Sequence, residues 1–122
     1  MKKIVNVAGN IIAAVFAAIG VLCISVTITV MFRPLYYFEI DYLDIPQMSG
    51  MSETVIRANY DVLIDYNLLG GPSELNFPDL IMSQQGRIHF EEVKDIFIFM
   101  QIFSIAAVIL LVLWIVAWVK KK

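Results

Sequence analysis

Two stretches of this 122-residue chain carry no charge, and they limit what it can fold into. Ile4 to Phe32 runs 29 residues without Asp, Glu, Lys or Arg, and Ile96 to Val119 runs 24. A helix needs about 20 apolar residues to cross the hydrocarbon core of a bilayer. Both runs are long enough, and the first has length to spare for tilt. They explain why 60% of the residues are hydrophobic, where roughly 45–50% is usual in a soluble domain. Buried helices of a soluble core are the alternative reading of each run.

Charge placement predicts an orientation. Lys2 and Lys3 precede the first run, and Lys120, Lys121 and Lys122 follow the second. All 11 acidic residues lie between Glu39 and Asp95, where the basic residues Arg57, Arg87 and Lys94 are few. Basic residues close to membrane helices stay on the cytoplasmic side. Both termini are therefore expected in the cytoplasm and the middle segment outside. The acidic middle argues against a nucleic-acid partner, and a hydrated surface accounts for it.

A cleaved signal peptide fits the first run poorly. Met1-Lys2-Lys3 resembles a signal n-region, but the apolar part far exceeds the usual 7–15 residues. No A-x-A site ends it; Ala18-Ile19-Gly20 is the nearest small triplet and lies in mid-run. Leu22 stands where a lipoprotein cleavage site wants a small residue, so Cys23 reads as a small apolar residue within a membrane helix. As the only cysteine it forms no internal disulfide.

The expected architecture is an all-α membrane protein, with two transmembrane helices flanking a small, mainly helical extracytoplasmic cap. The divisions fall at residues 1–32, 33–94 and 95–122. In the first helix Gly9, Ala13 and Ala17 recur every four residues, which suits close approach of another helix. Pro34 is expected to end that helix. Tyr36, Tyr37 and Phe38 follow, and aromatics just outside a span suit the interfacial belt; a ligand pocket is the alternative. Ser52 is a plausible N-cap for a helix to about Leu69, with Glu53 in its first turn. Val55, Ile56, Tyr60, Leu63 and Ile64 make its apolar stripe, while Arg57, Asp61 and Asp65 fall on other faces. Gly70-Gly71-Pro72 ends it. Leu75 to Met82 reads as irregular, with Pro78 blocking a helix. Gln101 and Ser104 lie in the outer half of the second span, where a lone Gln suits a helix–helix hydrogen bond or a substrate contact.

His89 is the only histidine. Gly86 can supply a turn, and His89 to Asp95 reads as the first turns of the second membrane helix. Glu92, three residues on, can share a face with His89. A histidine near a carboxylate can accept a proton from an amine or hydroxyl, contributing roughly 10²–10⁴-fold to a rate. An interfacial polar residue is the plain alternative. One His and one Cys cannot supply a three-ligand metal site, and no Gly-rich phosphate loop or G-x-S-x-G is present.

Three motifs then stand in order: Tyr60-x-x-Leu63-x-x-Tyr66, Leu75-Asn76-Phe77-Pro78-Asp79-Leu80, and Ser83-x-x-Gly86-x-x-His89-Phe90-x-x-Val93-Lys94. Together they resemble the bacterial integral-membrane family of the lipoprotein intramolecular transacylase, Lit. The resemblance covers most of this chain but only the N-terminal half of a typical member. It implies four membrane helices and two outward segments in the whole protein. His89 matches the first family histidine; the second, in the later segment, has no counterpart before Lys122.

The resemblance also implies an activity. An acyl chain moves from the glyceryl group of a diacylated lipoprotein cysteine to that cysteine's α-amine. No cofactor is implied, because the ester already holds the acyl group. Donor and acceptor share one molecule, so most of the encounter entropy is already spent. An α-amine with a pKa of about 7.7–8.0 is largely protonated at neutral pH, so a base is wanted. His89 is the expected general base and Glu92 its orienting partner. Membrane lipids, diacylated lipoproteins, and a second half-protein or second copy are the expected partners. A non-catalytic membrane protein acting through helix–helix or lipid contacts is the alternative.

Overall fold

The computed structural model describes residues 2–121 and is helical almost throughout. Five helices follow in order: α1 (Lys2–Met31), α2 (Arg33–Tyr42), α3 (Ile45–Ser49), α4 (Glu53–Asn67) and α5 (Gln84–Lys120). They divide between two compact units. One contains the residues up to Thr27 with those from Met100 onward; the other is Ile28–Phe99.

The first unit contains the bulk of the two apolar runs. In each helix the most apolar window is only 11% buried. A soluble core helix would be buried on most sides. Here Ile12, Leu22, Leu113 and Trp114 are all more than half exposed, at 70, 61, 59 and 65%. That much unshielded apolar surface is stable only in lipid. The two are transmembrane helices, so the protein is an integral membrane protein.

Within this unit the helices approach closely at Gly20. A methyl group added there would stand 3.1 Å from the Cβ of Ala107. Phe16 and Phe103 pack beside it, with ring centroids 4.8 Å apart. Ala13 and Ala17 line the adjoining apolar groove. Gly9, however, has nothing within 4 Å. The predicted small-residue stripe thus extends toward Gly20 rather than Gly9. Cys23, Gln101 and Ser104 are buried, and the Ser104 hydroxyl donates to its own helix at the Met100 carbonyl, 2.7 Å away.

The second unit is the cap. Pro34 ends α1, as expected, but it also begins a helix. Phe32 alone is non-helical, with φ −82° and ψ 76°, and Pro34 occupies the first turn of α2. Proline is well suited there, because its missing N–H has no partner in a first turn anyway. So residues 33–42 form a helix where the sequence suggested only an aromatic stretch. Asp44 turns the chain in the left-handed region, at φ 53°, into the short α3.

Ser52 caps α4 as predicted, its Oγ accepting from the Val55 N–H at 3.3 Å. Gly70, at φ 80°, turns the chain out beyond α4. Residues 71–83 have no regular structure. They are tied to α4 through Asn59, whose amide donates to Asp79 at 3.2 Å while its carbonyl accepts from the Asp79 N–H at 3.4 Å.

The last helix starts earlier than expected. Ser83 Oγ accepts from the Gly86 N–H at 3.0 Å, and the Ser83 carbonyl accepts from Arg87. Ser83 therefore caps α5, and Gly86 lies inside the first turn rather than making a turn before it. His89 stands beyond the first turn.

Candidate functional site

The site is built on the extramembrane start of α5 and the faces of α2 and α4. A helix advances 100° per residue. Arg87, Glu91, Lys94 and Asp95 therefore share one side of α5, and His89, Glu92 and Ile96 lie on the other. From the first side only Lys94 reaches inward, while Arg87, Glu91 and Asp95 are exposed. Lys94 Nζ sits 4.2 Å above the centre of the Tyr66 ring and donates to the Pro72 carbonyl. Tyr66 is 2% exposed. Burial raises its pKa above the usual tyrosine range, and the charges of Glu91 and Asp95 push the same way.

His89 and Glu92 are both exposed. The imidazole has the Phe90 ring beside it, at 5.9 Å between centroids. Among the described residues no hydrogen bond or ion pair joins His89 to Glu92, and both point away from the cap's core. His89 is thus an accessible titratable group on the helix that continues into the membrane.

Phe90 links this helix to the irregular segment. Its ring meets Phe77 edge-on at 5.8 Å. Phe77 also lines an apolar cavity of about 190 Å³, walled by Tyr36, Tyr60, Leu63, Ile56, Met51 and Leu80. Tyr36 and Tyr60 stack at 3.8 Å. The predicted stripe of α4 supplies Ile56, Tyr60 and Leu63, so that stripe is the wall of a hollow as well as a packing face. Tyr36 belongs to it because α2 is a helix, which the sequence had not signalled.

A charged network closes the other end of the cap. Arg33 Nη1 reaches Asp61 Oδ1 at 3.1 Å, and its Nη2 pairs with Asp65. The hydrogen bond to Asp65 is the main reason the guanidinium is held above its ordinary pKa. The Tyr37 hydroxyl donates to the same Asp61 oxygen, and that bond raises its pKa first, with burial adding to it. The Arg57 guanidinium lies 4.5 Å from the Tyr37 ring centre and pairs with Glu53 one turn back. Burial raises Tyr60 as well. These groups tie α2 to α4, and among the described residues no hydrogen bond, ion pair or ring contact joins any of them to His89.

Comparison with known proteins accords with this geometry. The family described as lipoprotein intramolecular transacylase Lit matches residues 11–122. The chain is similar to the solved structure of the membrane integral lipoprotein intramolecular transacylase Lit from Bacillus cereus. The two share 36% identity with a TM-score of 0.82, over 92% of this chain and 52% of that one. Two structures of the same protein with one histidine replaced are also similar. The arginine variant matches at 31% identity and TM-score 0.78, over 99% of this chain and 57% of that one. The alanine variant matches at 35% and 0.80, over 92% and 51%. This chain therefore spans about half the length of those solved structures. No curated protein matches it.

Proposed function

The chain belongs to the lipoprotein intramolecular transacylase Lit family, and on that premise we propose that it carries out the family's acyl migration on membrane lipoproteins. The observation that carries the proposal is the exposed His89, on a helix that runs on into the membrane. The proposed substrate is an S-diacylglyceryl cysteine with a free α-amine, displayed at the outer leaflet. The orientation proposed with it has both basic ends in the cytoplasm and residues 33–94 outside.

His89 is proposed as the general base. It takes a proton from the α-amine as the nitrogen attacks the ester carbonyl. The N–C bond forms, the bond between the acyl carbonyl carbon and the glyceryl oxygen breaks, and the imidazole returns the proton to the departing glyceryl oxygen. Proton count and charge balance without a cofactor. Glu92 is proposed to orient the imidazole once the substrate is bound; catalytic hydrogen bonds often tighten only then. The hollow between Tyr36 and Phe77 offers an apolar seat for the end of an acyl chain.

That the relative was solved with one histidine replaced supports attention to the histidine here. The solved structures are about twice as long as this chain, and a second copy or a second polypeptide is a proposed partner. The test is mass spectrometry of lipoprotein N-termini from a host without its own N-acylating enzymes. This chain is expressed there alone, beside His89→Ala. N-acyl, S-monoacylglyceryl cysteine with the parent and not with the variant is the expected result. Unchanged diacylglyceryl cysteine from well-inserted protein overturns the stand-alone enzyme.

A further inference from the structure

Helix α2 has two faces that do different things. One packs inward. Ile40 is fully buried, and Arg33, Tyr36 and Tyr37 on either side of it engage α4. The opposite arc carries Leu35, Phe38 and Tyr42. At 100° per residue these three fall within about 60° of one another, on the side away from Ile40. They are 40, 62 and 74% exposed. The Phe38 and Tyr42 rings stack at 5.6 Å, so the arc presents one aromatic surface rather than scattered side chains. Glu39 and Asp41 stand at its two edges.

What covers this face follows from where it begins. Only Phe32 separates α2 from the transmembrane helix α1. Met31 and Phe32 are themselves 42 and 55% exposed. Exposed apolar residues thus follow from the end of α1 into the arc of α2 within about one helical turn of sequence. A helix with one apolar arc, next to the hydrocarbon edge, lies in the interface with that arc buried about 5–10 Å. A tyrosine at such a level keeps its ring in the apolar zone and its hydroxyl in water. The edges carry acidic groups and the arc no Lys or Arg, so attraction to anionic lipid contributes nothing.

We propose that α2 is a membrane-interface helix. Leu35, Phe38 and Tyr42 insert into the leaflet where α1 ends, and phosphatidylcholine suffices to hold them. The aromatic cluster expected in the interfacial belt is thereby divided. Phe38 faces lipid, while Tyr36 and Tyr37 face α4. The inference does not depend on the transacylase reading.

The single cysteine makes the test direct. In a Cys23→Ser background, a spin label is placed at Phe38→Cys, Tyr42→Cys or Asp41→Cys in the full chain. The protein is reconstituted in phosphatidylcholine vesicles. Collision rates are measured with oxygen, which concentrates in the bilayer, and with a water-soluble nickel chelate. The expected ratio of oxygen to nickel accessibility is several-fold higher at 38 and 42 than at 41. Equal, water-like ratios at all three overturn the proposal. Protection from both reagents at 38 and 42 also overturns it, because a second copy or another protein would then cover the face. Tyr42 is the most exposed of the three, so its variant decides alone if Phe38→Cys fails to fold.

Discussion

Arg33 and Asp61 meet across the cap, Nη1 to Oδ1 at 3.1 Å, although 28 residues separate them in the chain. The guanidinium bridges Asp61 and Asp65, one turn apart on α4. Two like charges at that spacing repel on a helix. Arg33 converts that repulsion into a clamp that fixes the start of α2 against α4.

Removing Arg33 is expected to destabilise the cap by about 1–2 kcal/mol. That figure lies between the roughly 0.2–1 kcal/mol of an exposed pair and the about 1.5–3 kcal/mol of a hydrogen bond to a charged group. Thermal unfolding of Arg33→Ala in a neutral detergent measures it. Arg33→Lys is expected to restore only part, because an ammonium is a compact point charge without the planar fork that reaches two carboxylates. An Arg33→Ala variant as stable as the parent shows that the clamp contributes nothing.

Gly20 and Gly9 are expected to behave oppositely. A side chain at Gly20 meets Ala107 at once, whereas one at Gly9 meets open space. Overpacking of this kind costs about 1–3 kcal/mol. Gly20→Leu should lower the unfolding midpoint, and Gly9→Leu should leave it unchanged or raise it slightly through better helix propensity. The pair is read in one detergent by the same thermal melt, and a loss for both contradicts the packing described for α1.

Alkali should loosen the cap before it affects the spans. Tyr37, Tyr60 and Tyr66 all have folded pKa values raised above the ordinary tyrosine value. Each binds its proton more tightly when folded, so its contribution is complete below about pH 10. It is lost as the pH climbs through the higher folded value. Unfolding midpoints measured from about pH 8 to pH 11 should hold level and then fall. Tyr37→Phe should make the fall shallower.

His89→Ala should leave stability nearly untouched. The side chain is exposed and makes no hydrogen bond among the described residues, and surface changes usually stay within about 0.5 kcal/mol. Loss of N-acylation with an unchanged melt then reports on chemistry rather than folding. A melt lowered by several degrees contradicts the exposed placement of the imidazole.

Much of this was legible in the sequence, and each gap has a physical cause. The spans were plain because long uncharged runs have few other uses. Ser52 was plain because a cap is a local motif, read within four residues. Helix α2 was missed because Pro34 stops the helix before it and suits the first turn of the helix after it; sequence alone favoured the first role. The start of α5 was placed late because Gly86 suggests a turn, and only the Ser83 cap fixes the helix around it. Asp61 and Asp65 stand off the apolar stripe of α4 in the sequence, and nothing local says that Arg33 returns to them. His89 was found as the lone histidine, but its exposed side depends on which face Tyr66 and Lys94 occupy.

Helix α5 is unbroken from Gln84 to Lys120, and His89 rides on it seven residues before Ile96, where the apolar run begins. At 1.5 Å per residue that is about 10 Å along the axis. About two helical turns thus separate the imidazole from the apolar run, a spacing that helical backbone rather than a loop fixes.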